Sequence, residues 1–325
     1  MSVTFFLPEG EIPPDVLSLD VDRDWEWFRN AQQAWILQTC LRLRAVGDDV
    51  VLASTLPQAG VLVFYAAHKH LVRRLWTPQS RCLLVAVRGD RHEVDIGDVE
   101  ILQNPRSAQP PRRIAMPHWP QPGLIARERS RGARLENVAF KGVRKNLHPE
   151  LAGPEWEASV QGLGLNWQGP SAIGEDQKAP REWRDFRTAD ALIAVRPPRR
   201  DAYPGKPATK LINAWLAGVP AILGPESAYM ALRESELDFL VAADANQALA
   251  ALRLLKGDPA RYRAMVENGQ RRAREFDVAA TTRRWQRLLF EELLPQATTL
   301  QRRLSPRWRR AVGLCRRLVG ARAGR

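Results

Sequence analysis

Residues 206–222, KPATKLINAWLAGVPAI, constrain the fold of this chain more than any other stretch. A polar segment with Thr209 and Lys210 leads into an apolar helix, which we expect to end at Gly218 before a tight turn and a strand at 221–223. The order of loop, helix, turn and strand is typical of an α/β protein. Unpaired amides at such a helix start carry partial positive charge, and Lys210 adds a full charge beside them. The segment therefore predicts an anion site that suits a phosphate group.

The same stretch resembles the donor-binding segment of nucleotide-sugar glycosyltransferases with the two-domain GT-B fold. Asn213 stands where that family usually has a Glu that holds the donor ribose, and an Asn still hydrogen-bonds a hydroxyl as a neutral partner. Gly205 stands where many retaining members have the first Glu of an E-x7-E motif, so the stereochemical course stays open. Helix-Gly-x-Pro-strand punctuation also occurs in other α/β domains. The family pattern is roughly P-x-K-x-x-E-x-x-A-x-G-x-P-V-I, and the chain matches it at Pro207, Lys210, Ala214, Gly218, Pro220 and Ile222.

The resemblance continues from about residue 135 to residue 293. The apolar stretch 135–142 predicts a strand ending in Gly142, followed by a charged loop with Arg144, for which a solvated surface loop is the alternative. Arg196 ends the buried-strand pattern ALIAV, and it would lie near the anion site if the two strands are neighbours in a parallel sheet.

Glu226 and Ser227 follow the motif at a predicted strand-to-helix corner that lines the donor pocket in related enzymes. Helix capping explains the same two residues, so both interpretations stay open. Residues 238–293 predict two long final helices, and in GT-B enzymes such helices run back toward the N-terminal domain. The resemblance implies a donor site formed by Gly142, Arg144, Arg196, Lys206, Thr209, Lys210, Asn213, Glu226 and Ser227.

The N-terminal half predicts a second α/β domain. Residues 3–10 are a candidate first strand, and apolar spacing predicts a helix over 25–47 before a Gly stop. The runs DVVLAS, GVLVFYAA and CLLVAV are rich in Val and Leu, which is typical of strands buried on both faces by helices. The chain has 325 residues, enough for two such domains, and we expect a trimmed acceptor domain.

A Pro-rich passage at 104–129 separates the two halves. Proline removes backbone donors and blocks helix formation, so we expect an extended and stiff crossing. His118 would lie in the cleft where an acceptor is contacted, and packing on the nearer domain is the alternative. The predicted fold class is α/β, with two Rossmann-like domains facing across a cleft: an acceptor domain at 1–120, a donor domain at 121–295 and a basic amphipathic tail at 296–325.

A residue that activates the acceptor hydroxyl is expected in the N-terminal domain. An inverting transferase needs a general base with a pKa near the working pH. His68 is the preferred candidate because it follows a strand whose carboxyl end opens onto the cleft, although a surface histidine is the alternative. His70, Glu9 and Glu11 are the other candidates, and Glu9 and His118 are the predicted acceptor-side or cleft residues. A retaining enzyme needs no such base, since the leaving phosphate takes the proton.

Metal and disulfide chemistry are not expected. The three Cys lie far apart without a C-x-x-C, and the five His show no metal spacing beyond His68-x-His70. P-loop, G-x-S-x-G and Rossmann G-x-G-x-x-G motifs are missing. GT-B enzymes commonly neutralise the diphosphate with helix dipoles and basic side chains, so we expect no cofactor and no catalytic metal, with a nucleotide-diphosphate sugar as co-substrate.

The net charge of +13 is concentrated at the C-terminus, where residues 301–325 contain nine Arg and no acidic residue. An apolar stripe runs through them, which suits a helix on an anionic membrane surface. A solvated tail, or a helix docked on the protein, are the alternatives. Without an 18-residue apolar run or a leader pattern, we expect a cytoplasmic, peripheral protein. The candidate membrane residues are Trp308, Arg309, Arg310, Arg316 and Arg317.

The resemblance implies a glycosyltransferase that moves a sugar from a nucleotide-diphosphate donor to a glycan or lipid-linked acceptor hydroxyl. The leaving diphosphate would be held at the helix start, 206–213. A GT-B-like protein that binds nucleotide sugar without turnover is the first alternative, because Asn213 and Gly205 depart from the family pattern. A nucleic-acid-binding protein is the second, suggested by the basic charge and 11 Trp. The basic residues, however, do not interleave with aromatic ones on one module, and no specific nucleic acid is expected as a partner.

Overall fold

A computed structural model describes residues 2–77, 80–170 and 179–299 of the chain. Two parallel sheets follow one another along the sequence, one with the strand order β2-β1-β3-β4-β5-β6 and one with β11-β10-β9-β7-β8. The strands are β1 (Ser2–Phe6), β2 (Val50–Ala53), β3 (Ala59–Tyr65), β4 (Arg81–Gly89), β5 (Val99–Leu102), β6 (Arg113–Ala115), β7 (Asn137–Ala139), β8 (Asn166–Gln168), β9 (Ala191–Ala194), β10 (Ala221–Leu223) and β11 (Leu240–Val241).

Helices cover both sheets, so the predicted fold class of two α/β domains is confirmed. Two π-helical segments, Gln33–Leu37 and Arg287–Leu293, continue into neighbouring helices. The α-helices are α1 (Gln38–Ala45), α2 (Lys69–Leu75), α3 (Pro154–Gly162), α4 (Ala179–Arg184), α5 (Thr209–Ala217), α6 (Ser227–Leu232), α7 (Ala245–Gly257), α8 (Pro259–Ala273), α9 (Val278–Gln286) and α10 (Leu294–Thr299).

The central strands of the N-terminal sheet are buried on both faces, as their Val- and Leu-rich sequences predict. In β3, Val61 and Val63 belong to one apolar cluster, while Leu62 and Phe64 belong to another. Successive side chains of a strand point to opposite faces, so β3 supplies both layers of the core.

The final helices of the described chain pack on the N-terminal domain. Trp285, Leu288, Leu289 and Leu293 belong to the same apolar cluster as Val63. The chain therefore crosses back after the second sheet, as the resemblance implies. The domain boundaries at 120 and 295 stay predictions.

The C-terminal sheet reverses its strand order beside β9, which lies between β7 and β10. Both pairings are parallel, with Ala139 beside Leu192 and Ile193 beside Ile222. Ligands of open parallel sheets bind at the carboxyl ends of the strands where the order reverses. This topology brings the loops after β7 and β9 together at the carboxyl edge of the sheet.

Two N-terminal segments differ from the sequence expectation. Residues Trp25–Trp27 form a separate 3₁₀ turn, and the helix predicted over 25–47 begins only after Asn30. The Asn30 side chain accepts a hydrogen bond from the Gln33 amide, which caps the helix there. The Pro-rich passage also contains β6, which pairs with β5, so its first part belongs to the N-terminal sheet and does not cross between domains.

Candidate functional site

A cleft of about 280 Å³ is lined by residues of both domains. It lies where carboxyl-terminal loops of the two sheets meet the start of α5. The part of the chain before residue 122 contributes Ala31, Trp35, Gly89, Asp90, Gln103, His118 and Gln121, and the part after it contributes Lys141, Trp183, Phe186, Leu192, Arg196, Lys206, Pro207, Thr209, Lys210 and Asn213.

The first turn of α5 is open toward this cleft. Ala208 precedes the helix and supplies no capping side chain, whereas helices α7, α8 and α9 each begin with an Asp that caps them. Thr209 lines the cleft, and its buried hydroxyl has no hydrogen-bond partner within the described residues. The helix ends as predicted, at Gly218 in the left-handed conformation. The start of α5 thus presents uncompensated amides and a free hydroxyl, which suit an anion.

Lys210 lies half-buried on the same turn. Its Nζ is 5.6 Å from the centre of the Phe140 ring. Burial, with the neighbouring Arg196 charge, lowers the pKa of Lys210 to about 8. Gly142 makes room for this side chain, because a Cβ there would come within 3.0 Å of Nζ. Gly142 therefore acts behind Lys210 and does not line the cleft.

Arg196 enters the cleft from the end of β9 with its guanidinium group already held. Nε lies 3.1 and 3.0 Å from the two carboxylate oxygens of Glu226, and Nη1 donates to Asn146 Oδ1 at 2.7 Å. Burial raises the pKa of Glu226, although Arg196 and Lys210 oppose the shift. Glu226 is buried behind Arg196 and does not itself line the cleft.

Lys206 joins the two domains across the cleft. Its Nζ lies 2.8 Å from Asp90 Oδ2, and the preceding Gly205 carbonyl accepts a hydrogen bond from Gln103 Nε2 at 2.6 Å. Burial acts to raise the pKa of Asp90, but the hydrogen bond and charge of Lys206 outweigh burial and lower it. The loop between β9 and α5 is therefore fastened to the N-terminal domain.

Ser227 takes part in the same fastening and does not line the cleft. Its hydroxyl accepts from Asn104 Nδ2 at 2.9 Å and donates to the Ala202 carbonyl at 2.9 Å. With both contacts made, the predicted donor role of Ser227 finds no support in its position.

Asn213 lies one turn into α5 and lines the cleft. Its Oδ1 accepts a hydrogen bond from the Gln121 amide at 3.1 Å. The side chain thus fixes the segment that crosses between domains, and its amide nitrogen is the group left for a ligand.

His118 lies in the cleft, as predicted, on the N-terminal wall. Its Nδ1 is 2.9 Å from the Trp119 carbonyl, and its ring packs edge-on against Trp35 with centroids 4.9 Å apart. Burial lowers the pKa of His118, although the bond to Trp119 opposes the shift.

His68 does not line the cleft. The side chain is buried against Phe6 and Tyr65, and its Nε2 lies 3.1 Å from Glu11 Oε1. Strand β3 ends shortly before His68, as predicted, but the following 3₁₀ turn directs the His68 ring into the protein. Its role as a base stays a prediction that this position does not favour.

The remaining predicted residues lie away from the cleft or outside the described residues. Glu9 is exposed in a 3₁₀ turn, and Arg144 is exposed with its Nη2 bonded to the Ala152 carbonyl. The tail residues Trp308, Arg309, Arg310, Arg316 and Arg317 lie outside the described residues.

Several residues that line the cleft were not predicted from the sequence. Asp90 directly follows β4, so the rule that selected His68 would also have found it. Lys141 follows β7 beside Gly142, and burial lowers its pKa. Gln103 and Gln121 carry no local signal, because their contacts join segments far apart in sequence.

The described residues contain neither a metal cluster nor a membrane-spanning helix. No group of three or more His, Cys, Asp or Glu side chains there is placed to hold a metal ion. None of the helices in those ranges has the length and apolar character needed to cross a bilayer. The metal-free mechanism stays a prediction.

Two parallel α/β domains with a polar cleft between them define the GT-B fold. Residues 135–289 match the family described as "Glycosyl transferase-like", and this match covers the cleft residues from Lys141 to Asn213. The chain therefore has the GT-B fold, and its C-terminal half is similar to this family. A comparison with curated protein sequences gives no match.

Solved structures show the same fold at low sequence identity. A sucrose-phosphate synthase from Thermosynechococcus elongatus matches with a TM-score of 0.58 and 13% identity over 91% of this chain and 100% of that one. AviGT4, a glycosyltransferase involved in avilamycin A biosynthesis, matches with 0.55 and 10% over 82% and 91%. Anabaena Alr3699/HepE in complex with UDP and glucose matches with 0.53 and 11% over 90% and 100%.

Proposed function

We propose that this protein transfers a sugar from a nucleotide-diphosphate donor to an acceptor hydroxyl, with the diphosphate held at the start of α5. The uncapped first turn of α5, opening into the interdomain cleft beside Lys210, carries the proposal. Helix amides and a half-buried ammonium group are partners that suit a diphosphate.

Catalysis in this proposal depends on stabilising the leaving group. Negative charge grows on the diphosphate as the glycosidic bond breaks, so groups that bind this charge more strongly in the transition state accelerate the reaction. Lys210 and the α5 amides lie closest to that charge. Arg196 is already oriented by Glu226 and Asn146, which reduces the reorganisation needed when the charge develops.

Thr209 and Asn213 would complete the donor site. The Thr209 hydroxyl, which has no partner within the described residues, would donate to a phosphate oxygen. The Asn213 amide nitrogen would contact a ribose hydroxyl, because its Oδ1 is bonded to Gln121. A nucleotide sugar as donor agrees with the UDP and glucose named for the Anabaena neighbour.

The proposal for the acceptor substrate rests on the sequence of the C-terminal residues. A glycan or lipid-linked acceptor at an anionic membrane surface would suit the nine Arg of residues 301–325. Sedimentation with phosphatidylglycerol vesicles, compared with phosphatidylcholine vesicles, tests this part. Equal binding to both vesicle types, or to neither, would contradict the membrane role.

Calorimetry with UDP, GDP, ADP, CMP and the matching sugar nucleotides tests the donor site. We expect one nucleotide diphosphate to bind, and Lys210→Ala to weaken it about 10- to 100-fold, since a hydrogen bond to a charged group contributes about 1.5–3 kcal/mol. Arg263→Ala, on the exposed face of α8, is the charge-matched control and should bind normally.

The same experiment separates the remaining alternatives. Binding without donor hydrolysis or transfer would favour a nucleotide-sugar-binding protein, which the departures at Asn213 and Gly205 make the second candidate. Failure of the folded wild-type chain to bind any nucleotide diphosphate would contradict the proposed function.

A further inference from the structure

The cleft contains an imidazole whose tautomer is set by the backbone. His118 lines the cavity together with Lys210 and Thr209, so it shares a space of about 280 Å³ with the proposed diphosphate site. Its Nδ1 lies 2.9 Å from the Trp119 carbonyl oxygen. A carbonyl only accepts hydrogen bonds, so Nδ1 must carry the proton. The second ring nitrogen, Nε2, is then left with its lone pair.

Nε2 belongs to a ring that lines the cleft. It makes no hydrogen bond to another described residue and is not among their enclosed polar atoms. A neutral imidazole nitrogen with its lone pair can accept a proton. A hydroxyl group bound in the cleft would be the proton donor.

Buried contacts hold the imidazole in this orientation. Trp119 is fully buried, and its indole nitrogen donates to Thr39 Oγ1 at 2.8 Å. Thr39 in turn donates to the Trp35 carbonyl at 2.6 Å, and the Trp35 ring packs against His118. The carbonyl that sets the tautomer and the ring that sets the orientation thus belong to one network. Such fixed positioning is what a proton-transfer group requires.

We propose that His118 is the general base that accepts the proton of the acceptor hydroxyl through Nε2. The inference rests on the proposed function and on an inverting course, in which the acceptor oxygen displaces the diphosphate directly. As the acceptor oxygen forms its bond to the anomeric carbon, the bond from that carbon to the diphosphate oxygen breaks and the diphosphate leaves with the electron pair. The acceptor proton passes to Nε2, and the imidazolium that forms keeps its Nδ1–H bond to Trp119.

The two competing bases are less well placed. His68 lies outside the cleft lining, and its Nε2 already contacts Glu11. Asp90 is the only carboxylate among the described lining residues, and it is engaged by Lys206. His118 is a proton acceptor of the cleft lining that has no charged partner in the described chain.

The charge environment keeps His118 neutral before reaction. Burial lowers its pKa below the ordinary 6.5, so the base form predominates at pH 7. Among the described lining residues, four cations favour the same neutral state and Asp90 is the one charge that opposes it; the four are Lys141, Arg196, Lys206 and Lys210.

Hydrolysis of sugar nucleotides tests the assignment without knowledge of the natural acceptor, because water replaces the acceptor hydroxyl. UDP-glucose, GDP-mannose and ADP-glucose are the probes, and release of the nucleotide diphosphate is the readout. His118→Gln and His118→Ala should lower kcat by about 100- to 10,000-fold, which is the usual range of general-base catalysis. Both variants should bind the nucleotide diphosphate within about threefold of wild type, since Lys210 and the start of α5 are unchanged.

Two signatures distinguish a base from a structural histidine. The wild-type rate should fall on the acid side with a midpoint below 6.5, and this limb should vanish in His118→Gln. Free imidazole should restore part of the His118→Ala rate. His70→Gln, on the exposed surface of α2, is the matched control and should behave as wild type, and His68→Gln should retain full kcat.

The outcomes are separable. Normal hydrolysis by His118→Gln, or loss of hydrolysis in His68→Gln alone, would overturn the assignment while leaving the donor site intact. Loss of nucleotide binding together with hydrolysis in both His118 variants would also overturn it, because His118 would then act in binding. A wild-type chain that binds none of the nucleotide diphosphates would instead refute the proposed function on which the assignment rests.

Discussion

The Lys206 ammonium group lies 2.8 Å from the Asp90 carboxylate, and this ion pair connects the loop before α5 with the end of β4 in the other domain. The adjacent Gly205 carbonyl is bonded to Gln103 from the same domain. The proposed diphosphate site is consequently assembled from one domain and positioned in part by the other. The affinity of a ligand at this site should therefore depend on the distance between the two domains.

The Lys206–Asp90 pair should limit the affinity for nucleotide diphosphate. Asp90→Asn removes a negative charge from the cleft and frees Lys206, so we expect nucleotide binding to strengthen by up to about fivefold, in keeping with the value of about 1 kcal/mol or less for a partly exposed pair. Calorimetry at low salt measures this. Asp95→Asn, which breaks the exposed pair with Arg73, is the control and should change nothing. Weaker binding by Asp90→Asn would mean that the pair holds the loop in its binding shape.

Nucleotide binding should weaken in alkaline solution because of Lys210. The pKa of Lys210 is lowered to about 8, by burial first and by Arg196 next, with Glu226 opposing and Lys206 adding to the shift. A bound diphosphate favours the charged amine and raises its pKa, so the affinity is complete below about pH 8. Above that value it should fall by up to about tenfold per pH unit.

Calorimetry between pH 6.5 and 9.5 measures this dependence. Lys210→Arg keeps its charge over the whole range, so the slope should disappear in that variant. An unchanged slope in Lys210→Arg would assign the titration to another group.

Asp190 should be a large contributor to the stability of the C-terminal domain. This fully buried carboxylate accepts hydrogen bonds from Arg127 and Arg131 at 2.7–2.9 Å, and from the backbone amides of Glu136 and Asn137 at 2.9 Å. Asp190→Ala removes the buried carboxylate that both arginines share and should lower the free energy of unfolding by about 3–5 kcal/mol. Urea titration measures the change.

The pH dependence of the Asp190 contribution has a definite sign. Burial acts to raise its pKa, but the bonds from Arg131, the two amides and Arg127 outweigh burial and lower it. The contribution is therefore complete above the ordinary value of 3.8 and is lost as the pH falls through the folded pKa. Asp185→Ala, which breaks an exposed pair with Arg187, should cost less than about 1 kcal/mol and serves as the control. Equal losses in the two variants would contradict the assignment.

Leu289 should stabilise the N-terminal sheet although it lies far from it in sequence. It is fully buried in the cluster that contains Val63, so Leu289→Ala should cost about 2–5 kcal/mol. Hydrogen exchange should show faster opening of β1, β3 and β4 in this variant. Arg287→Ala, in the same π-helical segment but exposed, should leave the exchange unchanged. Faster exchange confined to the second sheet would show that the final helices do not support the first.

Local sequence rules account for the elements around the motif at 206–222. The helix Thr209–Ala217, its Gly218 end and the strand Ala221–Leu223 fall where the motif predicts them, because caps, turns and buried strands depend on neighbouring residues. The uncapped start of α5, which is the proposed anion site, followed from the same local rules. The helix expected from residue 25 was placed too early, since an apolar period does not mark where a cap such as Asn30 interrupts it.

Which side chains share the cleft depends on how the two sheets pack against each other. The sequence makes both His68 and His118 candidates for the cleft. The His68 ring turns into the N-terminal core beside Glu11, whereas the His118 ring lines the cleft. Asp90 meets Lys206, and Gln103 meets Gly205, across separations of about one hundred residues. Local sequence sets backbone conformation within a few residues, whereas these contacts arise only when two separately formed sheets pack with their carboxyl ends facing each other.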